Sequence, residues 1–217
     1  MFAWTLDKVI SPEHSANIFD HFCFIDGMGS QIFMLIGRLE MLIILALLGR
    51  NEHLKGHTDY SFIQQDGVLV LKAHCSGTAS AFYRWTEVDL TKTPILHWSW
   101  KIDNIHAGLD DVSKKGDYFA ARIYVVYKGK LPWSVNALNY VWPNPFTKRA
   151  VMIAQKSGTP TQKGVWIDES RDVRKDFKRY FDMDINKIDG IAVMTDCDNG
   201  GGEATSYYRD IHFAPAP

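Results

Sequence analysis

The chain has 217 residues, with 24 Lys+Arg against 25 Asp+Glu and a formal net charge of −1, which argues against the basic domain of a dedicated nucleic-acid binder. Hydrophobic content of 46% and charged content of 23% are those of a globular protein and exclude disordered, collagen-like and disulfide-rich classes. Aromatic content is high at 13%, with seven Trp.

The membrane-like stretch is 31–50, QIFMLIGRLEMLIILALLGR. Arg38 and Glu40 in its middle argue against a transmembrane span. Ile32, Leu35, Ile36, Leu39 and Ile43 fit a helical period, which predicts a buried or partner-seeking helix. The apolar run 41–48 behind Arg38 is the signal-like alternative, without a clean cleavage site. Composition changes near residue 50, so the chain divides into an N-terminal helical or signal-like segment, 1–50, and a β-domain, 51–217.

In the β-domain, Asp66-Gly67 between two apolar runs predicts a hairpin. Residues 79–83 and 88–90 read as short strands. In ILHWSWKI, 95–102, alternation places Trp98, Trp100 and Ile102 on one face and His97, Ser99 and Lys101 on the other. YFAARIYVVY, 118–127, is apolar on both faces and predicts a central strand packed on both sides. Strands follow at 137–142, 150–155 and 164–169. Val173, Phe177 and Phe181 then fall at helical spacing behind Asp172, a plausible N-cap. Strands return at 188–195 and 206–213, around a Gly-rich acidic loop at 196–203. Nine or ten short strands with one helix predict an all-β fold, a β-sandwich of jelly-roll, galactose-binding-like type with one short inserted helix and an N-terminal helical appendage.

The three cysteines, Cys23, Cys75 and Cys197, match no zinc or redox spacing. They are expected to be free thiols, with a Cys75–Cys197 bridge as the exception in an oxidising compartment.

The segments GDYFAARIYVVY (116–127), LNYVW (138–142), GVWIDESRDVRKDF (164–177) and IAVMTDCDNGGGEATSYYRDI (191–211) together resemble the bacterial family catalogued as domain of unknown function 3047; GHTDYSF (56–62) and SGTASAFYR (76–84) fit its N-terminal part. The resemblance covers about residues 50–214. It implies an exported, periplasmic protein similar to carbohydrate-binding jelly rolls, and it carries no catalytic residue. The chain departs from the family pattern before residue 50, where neither a signal peptide nor the expected first strand stands cleanly.

Several residue sets could carry chemistry. Arg122 lies inside an apolar strand and requires a carboxylate, with Asp117, Glu169 and Asp196 as candidates. A guanidinium fork on a sheet can hold the strands in register or clamp a sugar hydroxyl or carboxylate. Trp98 and Trp100 read as core. The ligand-binding candidates are Trp100, Asp117, Arg122, Tyr124, Trp142, Glu169 and Arg171. Asp196, Asp198 and Asn199 offer alternating oxygens that suit a structural calcium; the plain alternative is a turn.

Catalysis has the least support. Asp168 and Glu169 are neighbours on a strand and point to opposite faces, so they cannot be a glycosidase pair together. A lyase set of Arg122, Tyr124 and His97 has no telling spacing. The sequence therefore points first to a non-catalytic module that binds a glycan or other polar ligand in the bacterial envelope. The alternatives are a carbohydrate-active enzyme, hydrolase or lyase, and a structural or assembly protein that docks a partner through its N-terminal helix.

Overall fold

The computed structural model describes residues 50–104, 120–129, 134–142, 152–154, 164–198 and 202–217. The residues before 50, together with Asp117, Trp133 and Asn199, lie outside the described residues. Among the described residues the elements are β1 (Arg50–Lys55), β2 (Asp59–Gln65), β3 (Val68–Ser76), β4 (Ala79–Asp89), β5 (Ile95–Ile102), β6 (Arg122–Lys128), β7 (Val135–Val141), β8 (Met152–Ala154), β9 (Ile167–Asp172), α1 (Val173–Phe181), β10 (Lys187–Asp196) and β11 (Glu203–Ala214). Two sheets form a jelly-roll β-sandwich: a six-stranded sheet in the order β1-β4-β10-β6-β7-β8 and a five-stranded sheet in the order β2-β3-β11-β5-β9. All pairings are antiparallel except β7 with β8.

Local chemistry explains the elements. β2 and β3 pair down to Gln65 opposite Val68, leaving Asp66 (φ 53) and Gly67 (φ 78) as the two-residue turn. Both take the left-handed conformation that matches strand twist in a tight hairpin. The two short strands expected at 79–83 and 88–90 are one eleven-residue strand, β4. It crosses an irregularity opposite β10, between Ile188 and Gly190, where alternation slips and a sequence reading breaks the strand. At Gly190 a Cβ would come within 2.8 Å of the Trp85 ring, so a side chain there would collide with that indole.

The core lies between the sheets. β5 alternates as expected, with Leu96, Trp98, Trp100 and Ile102 all buried. Their inward faces meet Ile123, Val125, Leu138, Tyr140 and Trp142 from β6, β7 and the residue after β7, and Ile191 and Val193 from β10. The other face of β6 is packed as well: Tyr124 and Val126 join Ala79, Ala81, Ala192 and Met194 in a second apolar cluster. The expectation of a central strand buried on both sides is met.

Helix α1 forms where the period changes. Asp172 caps it, its side chain accepting from Lys175 N at 3.0 Å, and Val173 and Phe177 bury one face. Asp172→Ala is expected to cost about 1 kcal/mol, seen as a lower urea midpoint at unchanged m-value. An unchanged midpoint would mean that the apolar face alone holds the helix.

The expectation of three free thiols is corrected for two of them. Cys75 at the end of β3 and Cys197 just after β10 form a disulfide, with Cα atoms 6.1 Å apart. Both side chains point into the sandwich and are fully buried, one from each sheet. The sandwich brings together residues 122 apart in sequence, a proximity no local spacing reveals. Cys23 lies outside the described residues.

Candidate functional site

The carboxylate that Arg122 requires is Asp196. Arg122 opens β6 on the outward face of the six-stranded sheet, beside Met194 of β10 and Val141 of β7. Its Nη2 donates to Asp196 Oδ2 at 2.6 Å and its Nη1 to the Tyr124 hydroxyl at 3.1 Å. The Tyr124 hydroxyl in turn points at Met194 Sδ, 3.7 Å away. Asp196 Oδ1 accepts from Asp198 N at 3.2 Å. The Arg122 side chain is 0% exposed and that of Asp196 5%. Burial pushes the Asp196 carboxyl up to about 7, against the pull of Arg122, while Asp198 adds to the rise. Tyr208, from the other sheet, reaches across the sandwich to this strand pair. Its hydroxyl donates to Met194 O at 2.8 Å and lies 3.3 Å from Arg122 N, which donates to it. These buried groups together fix β6 against β10.

The remaining sequence candidates go elsewhere. Trp100 and Trp142 pack edge-on at 5.6 Å between the sheets and present no surface. Arg171 chelates Asp176 of α1 with Nε at 2.9 Å and Nη2 at 2.5 Å, and Tyr140 donates to the same carboxylate at 2.9 Å. Burial, then Asp176, holds the Tyr140 hydroxyl well above its ordinary pKa. That triad clamps the helix to both sheets. Glu169 sits opposite Trp98 on the edge strand β9, on the five-stranded sheet, far in the fold from Arg122. Asp117 and Asn199 lie outside the described residues. Of the calcium set, the Asp196 carboxylate is engaged by Arg122 and the Asp198 amide, and no group of three or more His, Cys, Asp or Glu among the described residues could hold a metal ion.

An open site lies on the outward face of the five-stranded sheet. A cleft of about 280 Å³ is lined by His97, Trp98, Ser99, Asp168, Glu169, Arg209, Asp210 and His212. A β-bulge builds it. Arg209 pairs with Ser99 and His212 with His97, so three steps along β11 match two along β5. Asp210 takes the extra step at φ 54, a conformation Asp tolerates better than most residues. The bulge turns both Arg209 and His212 to the same side, a device common beside binding sites. The imidazoles of His97 and His212 stack at 5.0 Å and 17°. His212 Nδ1 lies 2.8 Å from Asp210 O. Ser99 Oγ donates to Asp168 Oδ1 at 2.6 Å, orienting that carboxylate.

Aromatic and cationic groups continue from the cleft across the sheet. The Arg209 guanidinium lies 4.1 Å above the Trp166 ring. Lys101 Nζ lies 4.2 Å from the centre of the Tyr207 ring and 5.4 Å from that of Trp166. The Tyr207 hydroxyl donates to Asp103 at 2.6 Å; burial, then this carboxylate, raises its pKa. Alternation in 95–102 sets His97 opposite Trp98 and Trp100, but nothing in the sequence joins it to Trp166, Tyr207 or Arg209. The available signal was YYRDIHF, where strict alternation would turn Asp210 inward, so one extra residue had to be absorbed.

The family model described as "Protein of unknown function (DUF3047)" matches residues 50–212. Among solved structures, the chain is similar to a family 30 carbohydrate-binding module of a cellulosomal cellulase of Clostridium thermocellum, with 10% identity, a TM-score of 0.49, and 77% of this chain and 91% of that chain covered. It is also similar to TmCBM61, solved in complex with β-1,4-galactotriose, at 9% identity and a TM-score of 0.37, covering 78% of this chain and 89% of that one. A CBM4 structure matches at 10% identity and a TM-score of 0.36, covering 77% and 86%. No curated protein matches. None of these likenesses assigns a role to a residue here.

Proposed function

The chain belongs to the DUF3047 family, and from that premise we propose that residues 51–217 are a non-catalytic module that binds a glycan or another polar ligand in the bacterial envelope. The observation that carries this reading is the cleft on the five-stranded sheet, open and lined by flat and polar side chains. A sugar ring offers apolar C–H faces to the stacked imidazoles of His97 and His212, while its hydroxyls reach Ser99, Asp168 and Arg209. Pockets of this kind fix orientation with a few placed polar groups. The Arg122 network supports the fold rather than the site, because Arg122 and Asp196 are buried and bonded to each other. The buried Cys75–Cys197 bridge supports an oxidising compartment, in keeping with export. Among the described residues no helix is long and apolar enough to cross a membrane.

The test is calorimetric titration of the full chain with a broad oligosaccharide panel. At least one glycan is expected to bind, and the His97→Ala/His212→Ala double variant should weaken it by up to about tenfold. Trp85→Ala, on the opposite sheet, should leave it unchanged. Absence of binding across the panel would end this reading.

A second reading, a carbohydrate-active enzyme, draws on the carboxylates of Asp168 and Asp210 at one open cleft. It requires release of reducing ends from a bound glycan, lost in Asp168→Asn.

A further inference from the structure

Among the described residues, the outward face of the five-stranded sheet carries cations whose hydrogen-bonding capacity is largely unused. Lys101 Nζ has its nearest carboxylate, Asp103, at 3.9 Å, too far for a hydrogen bond, and its side chain is only 12% exposed. Arg209, 24% exposed, meets Asp210 only through Nε, at 3.3 Å. Among the described residues no acceptor takes the Nη protons of Arg209 or the protons of Lys101. Both charges rest against one indole, Trp166, from neighbouring strands. A third cation, Lys72 of β3, stands directly across from Tyr207 on the same face.

Like charges gathered on a half-buried surface repel one another. Asp103 and Asp210 offset Lys101 and Arg209 in part, at 3.9 and 3.3 Å, and the aromatic rings offset them further. The rings also fix the cations in place, so little side-chain freedom remains to be lost when an anion arrives. A guanidinium held flat on a ring keeps its outer edge free to meet a planar anion with two parallel hydrogen bonds.

We propose that this face selects an anionic glycan, the negative group of one sugar residue being received by Arg209 and Lys101 beside the His97/His212 cleft. The proposal rests on the glycan-binding reading above and names the class of glycan. The shared chemistry is a carboxylate or sulfate on a sugar ring; uronic acids and sulfated sugars are its two sources.

The experiment is titration of the full chain with oligogalacturonate, alginate oligomers and a chondroitin sulfate oligosaccharide. The same oligogalacturonate as its uncharged methyl ester, and a neutral cello-oligosaccharide, serve as controls. The expected result is binding of an acidic probe that weakens with added salt. If the bound probe is oligogalacturonate, its methyl ester should bind roughly 10–100-fold more weakly, the loss of a charge-assisted contact. Binding of a uronate or of the sulfated probe alone identifies the source. Arg209→Met should remove the preference for acidic probes, and Arg209→Lys should restore only part of it, because the fork is lost; melting curves of both variants confirm folding. Equal affinity for acidic and neutral probes would overturn the proposal and leave the glycan-binding reading standing. Failure of every acidic probe would overturn the proposal, and failure of the broad oligosaccharide panel as well would overturn the glycan-binding reading.

Discussion

Arg122→Met is expected to destabilise the protein by about 3–5 kcal/mol at pH 8 and by clearly less at pH 5. The variant leaves the Asp196 carboxyl buried without its counter-charge, although the Asp198 amide still donates to it. Burial already holds this group up to about 7, above its ordinary 3.8, and Arg122 is the charge that opposes the rise. Without Arg122 the folded pKa climbs further. A carboxyl raised on folding contributes stability that is fully present below its unfolded pKa and lost as pH rises through the folded one. At pH 5 the variant therefore carries a neutral, protonated Asp196 at modest cost. At pH 8 it must either bury a charge or hold a proton against the solvent.

Asp196→Asn has the opposite signature. The guanidinium it strands cannot lose its proton and the titrating carboxyl is gone, so its penalty against the parent chain should shrink from pH 5 to pH 8, where the parent loses the stability of its protonated Asp196. Arg122→Met/Asp196→Leu removes both charges and should recover most of the loss. Urea unfolding of the three variants at the two pH values measures all of this. A cost for Arg122→Met below about 1 kcal/mol at pH 8, the range of solvent-exposed pairs, would show that the pair is not shut away from solvent.

Breaking the Cys75–Cys197 bridge has an effect of similar size. The bond closes a loop of 122 residues between the two sheets. Chain-entropy reasoning gives about 4–5 kcal/mol for a loop of that length. For a domain this large such a loss lowers the melting temperature by on the order of 10 °C. Cys75→Ala/Cys197→Ala and dithiothreitol treatment should give the same shift, since both groups lie wholly inside. A melting temperature unmoved by reductant, with free-thiol titration showing the bond cleaved, would mean that the hydrophobic core alone holds the sheets together.

The architecture was largely legible because it is written in alternation. Trp98, Trp100 and Ile102 declared an inward face two residues at a time, and Val173, Phe177 and Phe181 declared the helix by a change of period. Asp66-Gly67 declared its turn through backbone conformation alone. Arg122 announced that it needed a carboxylate but could not say which, since Asp196 is 74 residues away and only the β6–β10 register joins them. For the same reason the Cys75–Cys197 bridge stood in the sequence only as the exception to free thiols. The open cleft was hardest to read. His97, Asp168 and Arg209 come from three strands, and a single extra residue at Asp210 decides which way His212 points. Alternation predicts the face of a residue only while register holds, and this site exists where register slips.

The most direct measurement is a two-dimensional amide NMR titration of the isotopically labelled full chain with the tightest-binding oligosaccharide. Shifts concentrated at His97, Ser99, Asp168, Arg209 and His212, with Arg122 and Tyr124 unmoved, are the predicted result. Shifts centred on Arg122, Tyr124 and Met194, or no shifts at saturating sugar, would contradict a glycan site on the five-stranded sheet.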